Sequence, residues 1–259
     1  MQIGLIGCGN MAAAMARGWA EPVLCFDPVS ERAEALARET GGEALGSAVQ
    51  VAERADLVVL CHKPAQLDPV AAQLAPLAKA VASILAATPL AALREAYPGI
   101  PVFRFLPSLP AEARAGAIVK ADEPPRPAAA PVSSADARLA AEVDELFARL
   151  GVLVAVEEPL VDVAMGLMSC APAYIALVAE AQIDAGVRRG LPPAQASALV
   201  VETLAGTAEL LRRRGMDTLA VRREVSSPGG VTARGLAALE RGGIRAAFSD
   251  ALDAVLGAR

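Results

Sequence analysis

The sequence predicts an α/β domain followed by an all-helical one. Three observations carry this expectation. Short apolar runs closed by glycine or aspartate alternate with helical segments through the first half, as βαβ units on a parallel sheet require. Strand signals vanish from Leu160 onward. The segments beyond it are long and apolar around most of their helical circumference. A chain of 259 residues accommodates two modest domains, and the division is read at residues 1–158 and 159–259. Hydrophobic residues make up 54% and aromatic ones 3%, so alanine, leucine and valine must fill the interior.

The elements follow in chain order. "QIGLIG" (2–7) is a buried strand closed by glycine. A helix runs from Asn10 to Ala20. "PVLCFD" (22–27) is the second strand. Ser30 opens a helix that stops before Gly41-Gly42. "DLVVLC" (56–61), "AVASILAA" (80–87) and "PVFRFLP" (101–107) are further strands, and "GVLVAVEE" (151–158) is a final edge strand. The proline-rich stretch 122–136 reads as a loop, followed by a helix from about Ser134 to Leu150.

Gly7, Gly9 and Ala12 are spaced G-x-G-x-x-A between the first strand and its helix. Gly7 permits the tight turn. Gly9 lets backbone approach a pyrophosphate, whose charge faces the amides of the helix start. Ala12 lets that helix pack close to the sheet. Asp27 ends the second strand, at the position of an acid that bonds an adenosine ribose. Strand, helix and acid together make dinucleotide binding the expectation. A carboxylate at Asp27 repels a 2′-phosphate and favours NAD; Arg32, a few residues on, can accommodate that phosphate. The residues alone leave NADH and NADPH open.

In the second half, Ala171, Tyr174, Ile175, Val178 and Ala181 share one helical stripe, which Leu177 and Ile183 broaden. A second helix lies between Pro192-Pro193 and Gly215. Neither can hide its apolar surface within so small a domain, so pairing with a second copy of the chain is expected. Ser226-Ser227-Pro228-Gly229-Gly230 is a rigid turn into a helix, and exposed amides there suit a carboxylate.

Several function classes are disfavoured. A net charge of −5 and a pI of about 5.1, with so few aromatic rings, make a poor nucleic-acid surface. Cys8, Cys25, Cys61 and Cys170 show no metal-ligand spacing, and His62 is the one histidine. No metal site is expected, and the cysteines read as buried small hydrophobes in a reducing compartment. No apolar stretch reaches the roughly 18 charge-free residues of a spanning helix. With no basic leader segment, a cytoplasmic protein is expected.

Six segments in order resemble the pyrroline-5-carboxylate reductase family: "IGLIGCGNMAAAMARG", "HKPAQL", "SILAA", "RFLPSLP", "APAYIALVAEAQIDAGVRRGLP" and "EVSSPGGVTARGLAALERGGIRAAFSDAL". The resemblance spans nearly the whole chain. It implies a Rossmann-type dinucleotide-binding domain, an all-α dimerisation domain, and NAD(P)H-dependent reduction of Δ1-pyrroline-5-carboxylate to L-proline. It further implies homodimers that assemble into rings. Carried over, Gly7, Gly9, Asn10, Met11, Ala12, Asp27, Arg32, His62, Lys63, Pro64, Ala86 and Ser108 would contact the cofactor. Ser227, Gly229, Gly230, Val231 and Met168 would surround the substrate. Thr232 would be catalytic, its hydroxyl meeting the ring nitrogen; by local sequence alone it equally reads as a helix N-cap.

The chain departs from the family in two places. S-G-S-G-P has become Met168-Ser169-Cys170-Ala171-Pro172, and the asparagine of R-x-M-P-N-T-P has become Ser108. Both lie toward the substrate. A reductase of a related cyclic imine, Δ1-pyrroline-2-carboxylate or a six-membered analogue, is therefore an alternative. So is a dinucleotide-binding paralogue with little reductase activity, against which the intact Ser227-to-Thr232 segment argues.

Overall fold

The computed structural model describes residues 1–122 and 134–257. They form two compact units, Met1–Pro172 and Ala173–Arg259. Most of the proline-rich stretch read as a loop lies outside the described residues.

The first unit is built on an eight-stranded sheet. Its strands are β1 (Ile3–Ile6), β2 (Leu24–Phe26), β3 (Glu43–Ala44), β4 (Leu57–Leu60), β5 (Val81–Ser83), β6 (Val102–Pro107), β7 (Gly116–Asp122) and β8 (Gly151–Glu157). The sheet order is β3-β2-β1-β4-β5-β6-β7-β8. Pairing is parallel except between β6 and β7. The parallel α/β expectation holds, with β8 at the edge as read. Two strands went unread. β3 is two residues long, too short to leave a pattern. "GAIVKAD" of β7 sits among small residues and carries Lys120, which reaches Asp144 at 2.6 Å.

Seven helices accompany the sheet: α1 (Asn10–Trp19), α2 (Ser30–Thr40), α3 (Ala48–Arg54), α4 (Leu67–Leu74), α5 (Leu90–Ala96), α6 (Ser134–Ala148) and α7 (Val161–Met168). Strand alternation distributes the core to both sheet faces. Leu57 and Val59 of β4 join one cluster with Met15, Leu36 and Phe147 from α1, α2 and α6. Val58 and Leu60 join another with Val51, Leu74 and Leu93 from α3, α4 and α5. A strand buried on both faces has no polar alternation, which is why β4 reads as an unbroken apolar run. The few aromatics are concentrated where they bind elements together. Phe105 stacks on Phe147 at 3.9 Å, and Trp19 meets Phe147 edge-on at 5.7 Å. The Trp19 indole N–H donates to the Leu146 carbonyl at 3.0 Å.

The second unit is helical: the body of α8 (Ala171–Val187), then α9 (Pro193–Arg213), α10 (Thr218–Glu224), α11 (Val231–Arg241) and α12 (Ile244–Gly257). Its apolar side chains are largely uncovered. Ile175, Leu177, Leu199, Val201, Leu239 and Phe248 are all exposed, with Leu177 at 64%.

No charge-free stretch reaches 18 residues, as read, since Asp162 and Glu180 enclose 17 (180 − 162 − 1). The helical run Glu158–Val187 reaches a mean hydropathy of 1.7 and is long and apolar enough, by length and composition, to cross a membrane. Asp162 and Glu180 lie near the ends of its apolar stretch, where charge does not lower the mean much. The run is divided between two helices. α7 ends at Met168, and Val161 and Met168 pack with Leu106, Val119 and Ala121. Beyond Pro172, α8 leaves its apolar side chains open.

Candidate functional site

A cleft of about 860 Å³ opens at the carboxyl ends of β1, β2 and β4, lined among others by Gly7, Gly9, Asn10, Asp27, Arg32, His62, Lys63 and Gln66. The turn after β1 forms its floor. Gly7 has φ +100°, and a Cβ there would lie 2.8 Å from the Cys61 carbonyl oxygen at the end of β4. Only glycine meets both demands. Gly9 differs: its φ is −75°, and an added Cβ would meet no described atom within 4 Å. Nothing in the chain itself asks for glycine there. Gly9 is the N-cap of α1, no described side chain caps that helix, and its first turn carries no acid. The free amides of Asn10, Met11 and Ala12 therefore present an uncompensated positive helix end beside open space. This fits a pyrophosphate: the missing Cβ leaves room, and the amides supply donors. Ala12 is buried against the sheet, as its place in the motif requires.

Asp27 is buried, at 8% exposure. Its carboxylate accepts the Cys8 N–H at 2.8 Å and the Val29 N–H at 2.9 Å. It ties the glycine turn to the start of α2 and still has lone pairs to offer the cleft. Arg32 stands exposed in the first turn of α2.

The opposite wall follows β4. His62 Nδ1 lies 2.9 Å from the Lys63 carbonyl. A carbonyl only accepts, so Nδ1 carries the proton and Nε2 is left as an acceptor, buried and without a partner among the described residues. Burial holds the imidazole below its usual value, outweighing the carbonyl contact. Lys63 is exposed and ion-pairs with no described residue; Pro64 opens a short turn of 3-10 helix behind it. Cys8 and Cys25 are buried, whereas Cys61 and Cys170 are half-buried. Contact with Cys25 and burial push the Cys8 thiol up, and burial alone does the same to Cys61. Both stay protonated and poorly nucleophilic at neutral pH.

Of the expected cofactor residues, Met11, Ala12, Pro64, Ala86 and Ser108 are not among those lining this cleft. Ala86 is exposed beyond β5. Ser108 is buried, its hydroxyl accepting the Ala117 N–H at 2.9 Å while its own N–H reaches the Ala117 carbonyl. It clasps β6 to β7. Arg104, in the same "RFLPSLP" segment, is buried and pairs with Glu158 at 2.7 Å and Asp162 at 3.3 Å. Gln66, Val70 and Gln73 line the cleft without having been singled out. They sit in or beside an ordinary amphipathic helix, α4, and no motif distinguishes them.

In the helical unit, Gly229 has φ +69° and lets the chain turn into α11. Gly230 is the N-cap and no described side chain caps α11. Thr232 therefore sits inside the first turn and is not the cap, which corrects one reading of it. Ser227 packs so close that a Cβ on Gly230 would lie 2.5 Å from its hydroxyl. Arg234 holds the turn by donating to the Gly229 carbonyl at 2.9 Å. Val231 is 75% exposed. The Met168-to-Pro172 departure leaves no backbone strain, because no residue of that stretch has positive φ. Ser169 and Cys170 both donate to the Met165 carbonyl and close the last turn of α7.

A doubly wound sheet whose first turn bares a helix end beside a buried acid belongs to the dinucleotide-dependent oxidoreductases. Sequence profiles refine this: residues 158–258 match the domain described as pyrroline-5-carboxylate reductase dimerisation, and residues 2–87 match NADP oxidoreductase coenzyme F420-dependent. The chain belongs to the pyrroline-5-carboxylate reductase family. It is 33% identical to the pyrroline-5-carboxylate reductase of Synechocystis sp. and 34% identical to that of Thermus thermophilus, covering 98% of this chain and 95% of each relative. Among solved structures, the 1-pyrroline-5-carboxylate reductase of Streptococcus pyogenes superposes with a TM-score of 0.85 at 29% identity, over 99% of this chain and 97% of that one. The Plasmodium falciparum pyrroline carboxylate reductase, solved with NADP bound, gives 0.84 at 25% identity over 98% and 95%.

Proposed function

We propose that this chain reduces Δ1-pyrroline-5-carboxylate to L-proline with NAD(P)H. The observation that carries the proposal is Gly9: a glycine that the chain's own packing does not need, at an uncapped helix start beside a cleft. Family membership over both domains supports the substrate. In this reading residues 1–158 hold the cofactor and residues 159–259 bind substrate and pair with a second copy. The Asn10, Met11 and Ala12 amides hold the pyrophosphate, and Lys63 faces phosphate or ribose. The turn Ser227-to-Val231 cradles the substrate carboxylate on the Gly229 and Val231 amides, the Gly230 N–H being taken by the Ser227 carbonyl at 3.0 Å, and Thr232 directs its hydroxyl to the ring nitrogen.

Bound nicotinamide supplies a hydride to the C=N carbon, and the nitrogen, protonated, becomes the amine of proline. That carbon is already electrophilic, so the chain's task is positioning. No acid–base dyad is needed. Pairing through the exposed α8 and α9 faces, assembly of pairs into rings and a cytoplasmic location complete the proposal. Met168 packs into the cluster around Leu106 and Val119, which weighs against a pocket retuned for another imine. The test is oxidation of NADH and NADPH by the purified protein supplied with pyrroline-5-carboxylate. Turnover supports the reading; turnover confined to other cyclic imines, or none at all, overturns it.

A further inference from the structure

We infer that Asp27 makes this chain select NADH over NADPH. The inference rests on the cleft being the dinucleotide site, and it concerns which groups stand where the adenosine ribose would carry its 2′-substituent. Asp27 lies at the end of β2, nine-tenths buried in the cleft wall. Two backbone amides, Cys8 N–H at 2.8 Å and Val29 N–H at 2.9 Å, hold its carboxylate from opposite sides of the turn. The side chain cannot swing away without leaving both donors unpaired, at a cost that a small rearrangement does not recover. Its charge is therefore a fixed feature of the wall. A carboxylate with lone pairs free accepts from ribose hydroxyls and repels a phosphate dianion.

Of the neighbouring backbone, Pro28, Val29 and Arg32 offer that phosphate no donor, which leaves it only the first amides of α2. Pro28 has no N–H. The Val29 N–H is already taken by Asp27, and the Arg32 N–H is taken by the Val29 carbonyl at 3.0 Å. Val29 presents an apolar side chain to the cleft. Against the Asp27 carboxylate on this wall stands Arg32, exposed and screened by solvent, while Lys63 lies on the opposite wall after β4. The fixed carboxylate in the wall itself outweighs this mobile base.

The test is calorimetric titration of the full-length protein with NADH and with NADPH, without substrate. NADH is expected to bind at least tenfold more tightly. Equal affinity, or tighter NADPH, overturns the inference. Asp27→Asn, checked for folding by circular dichroism, keeps the shape and one acceptor while removing the charge. It should narrow the ratio to threefold or less, and an unchanged ratio assigns the selection elsewhere. Arg32→Ala should leave the ratio within threefold of wild type; a selective tenfold loss of NADPH would show that Arg32 reads a 2′-phosphate and would overturn the inference. If neither dinucleotide binds, the cleft assignment falls and the inference with it. If NADH binds selectively but no imine turns over, the inference stands and the proposed reaction fails.

Discussion

Gly7 and Gly9 share a motif but answer to different constraints, and substitution separates them. Gly7→Ala forces a positive φ on a side chain and drives its Cβ against the Cys61 carbonyl. It should cost about 1–3 kcal/mol of stability, read by denaturant unfolding. Gly9→Ala meets open space and costs about 1 kcal/mol or less at an N-cap. Yet it should weaken dinucleotide binding at least tenfold, because the ligand itself is what a Cβ would strike. Were Gly9→Ala to bind as wild type does, the pyrophosphate would not lie there. His62 makes a separate prediction. Burial lowers its folded value, so the unfolded chain takes up the proton first as pH falls. Its contribution is complete above the ordinary imidazole value of 6.5 and declines below it. His62→Gln should remove that share of the acid loss, seen by comparing unfolding free energies of the two proteins above and below this pH. Equal pH slopes for both would refute it.

At the scale of elements, the decisive contact is Arg104 of β6 with Glu158 and Asp162, which anchors the start of α7 to the sheet. The Leu90 N–H of α5 joins through the same Glu158 oxygen at 2.9 Å. Arg104→Ala removes the buried cation between two half-buried acids and should cost about 3–5 kcal/mol. Adding Glu158→Gln and Asp162→Asn should restore much of that loss in thermal unfolding. If it does not, packing rather than charge sets the cost. The sequence displays Arg104 within a strand but gives no hint of partners more than fifty residues away. It likewise hides Ser108 as a clasp, since a buried serine accepting a backbone amide looks the same in one dimension as a serine facing a ligand.

The molecule as a whole is left incomplete by its helical unit. Helices α8 and α9 leave leucines and isoleucine exposed, and a contiguous apolar surface in water calls for a partner. Sedimentation of the wild type should show at least a dimer. Leu177→Glu combined with Leu199→Glu should shift it toward monomer and lower its thermal stability; an unchanged sedimentation coefficient would move the interface to other faces.

Local patterning determined much of this protein. Apolar runs located β1, β2, β4, β5, β6 and β8; in β1, β4 and β5 every residue is buried, which leaves no room for polar ones. The Gly7–Gly9–Ala12 spacing located the turn that floors the cleft, because backbone geometry there depends on side chains being absent. The uniform apolarity of α8 and α9 announced a partner. Tertiary structure alone decided the rest. It inserted β7 antiparallel beside β6, a choice made by the loop between them and not by strand composition. It bonded Ser108 to Ala117 of β7 and buried Arg104 between two distant acids. It also fixed the Asp27 carboxylate on two amides. Pairings between residues far apart in sequence depend on how the whole chain closes, and no local pattern encodes them.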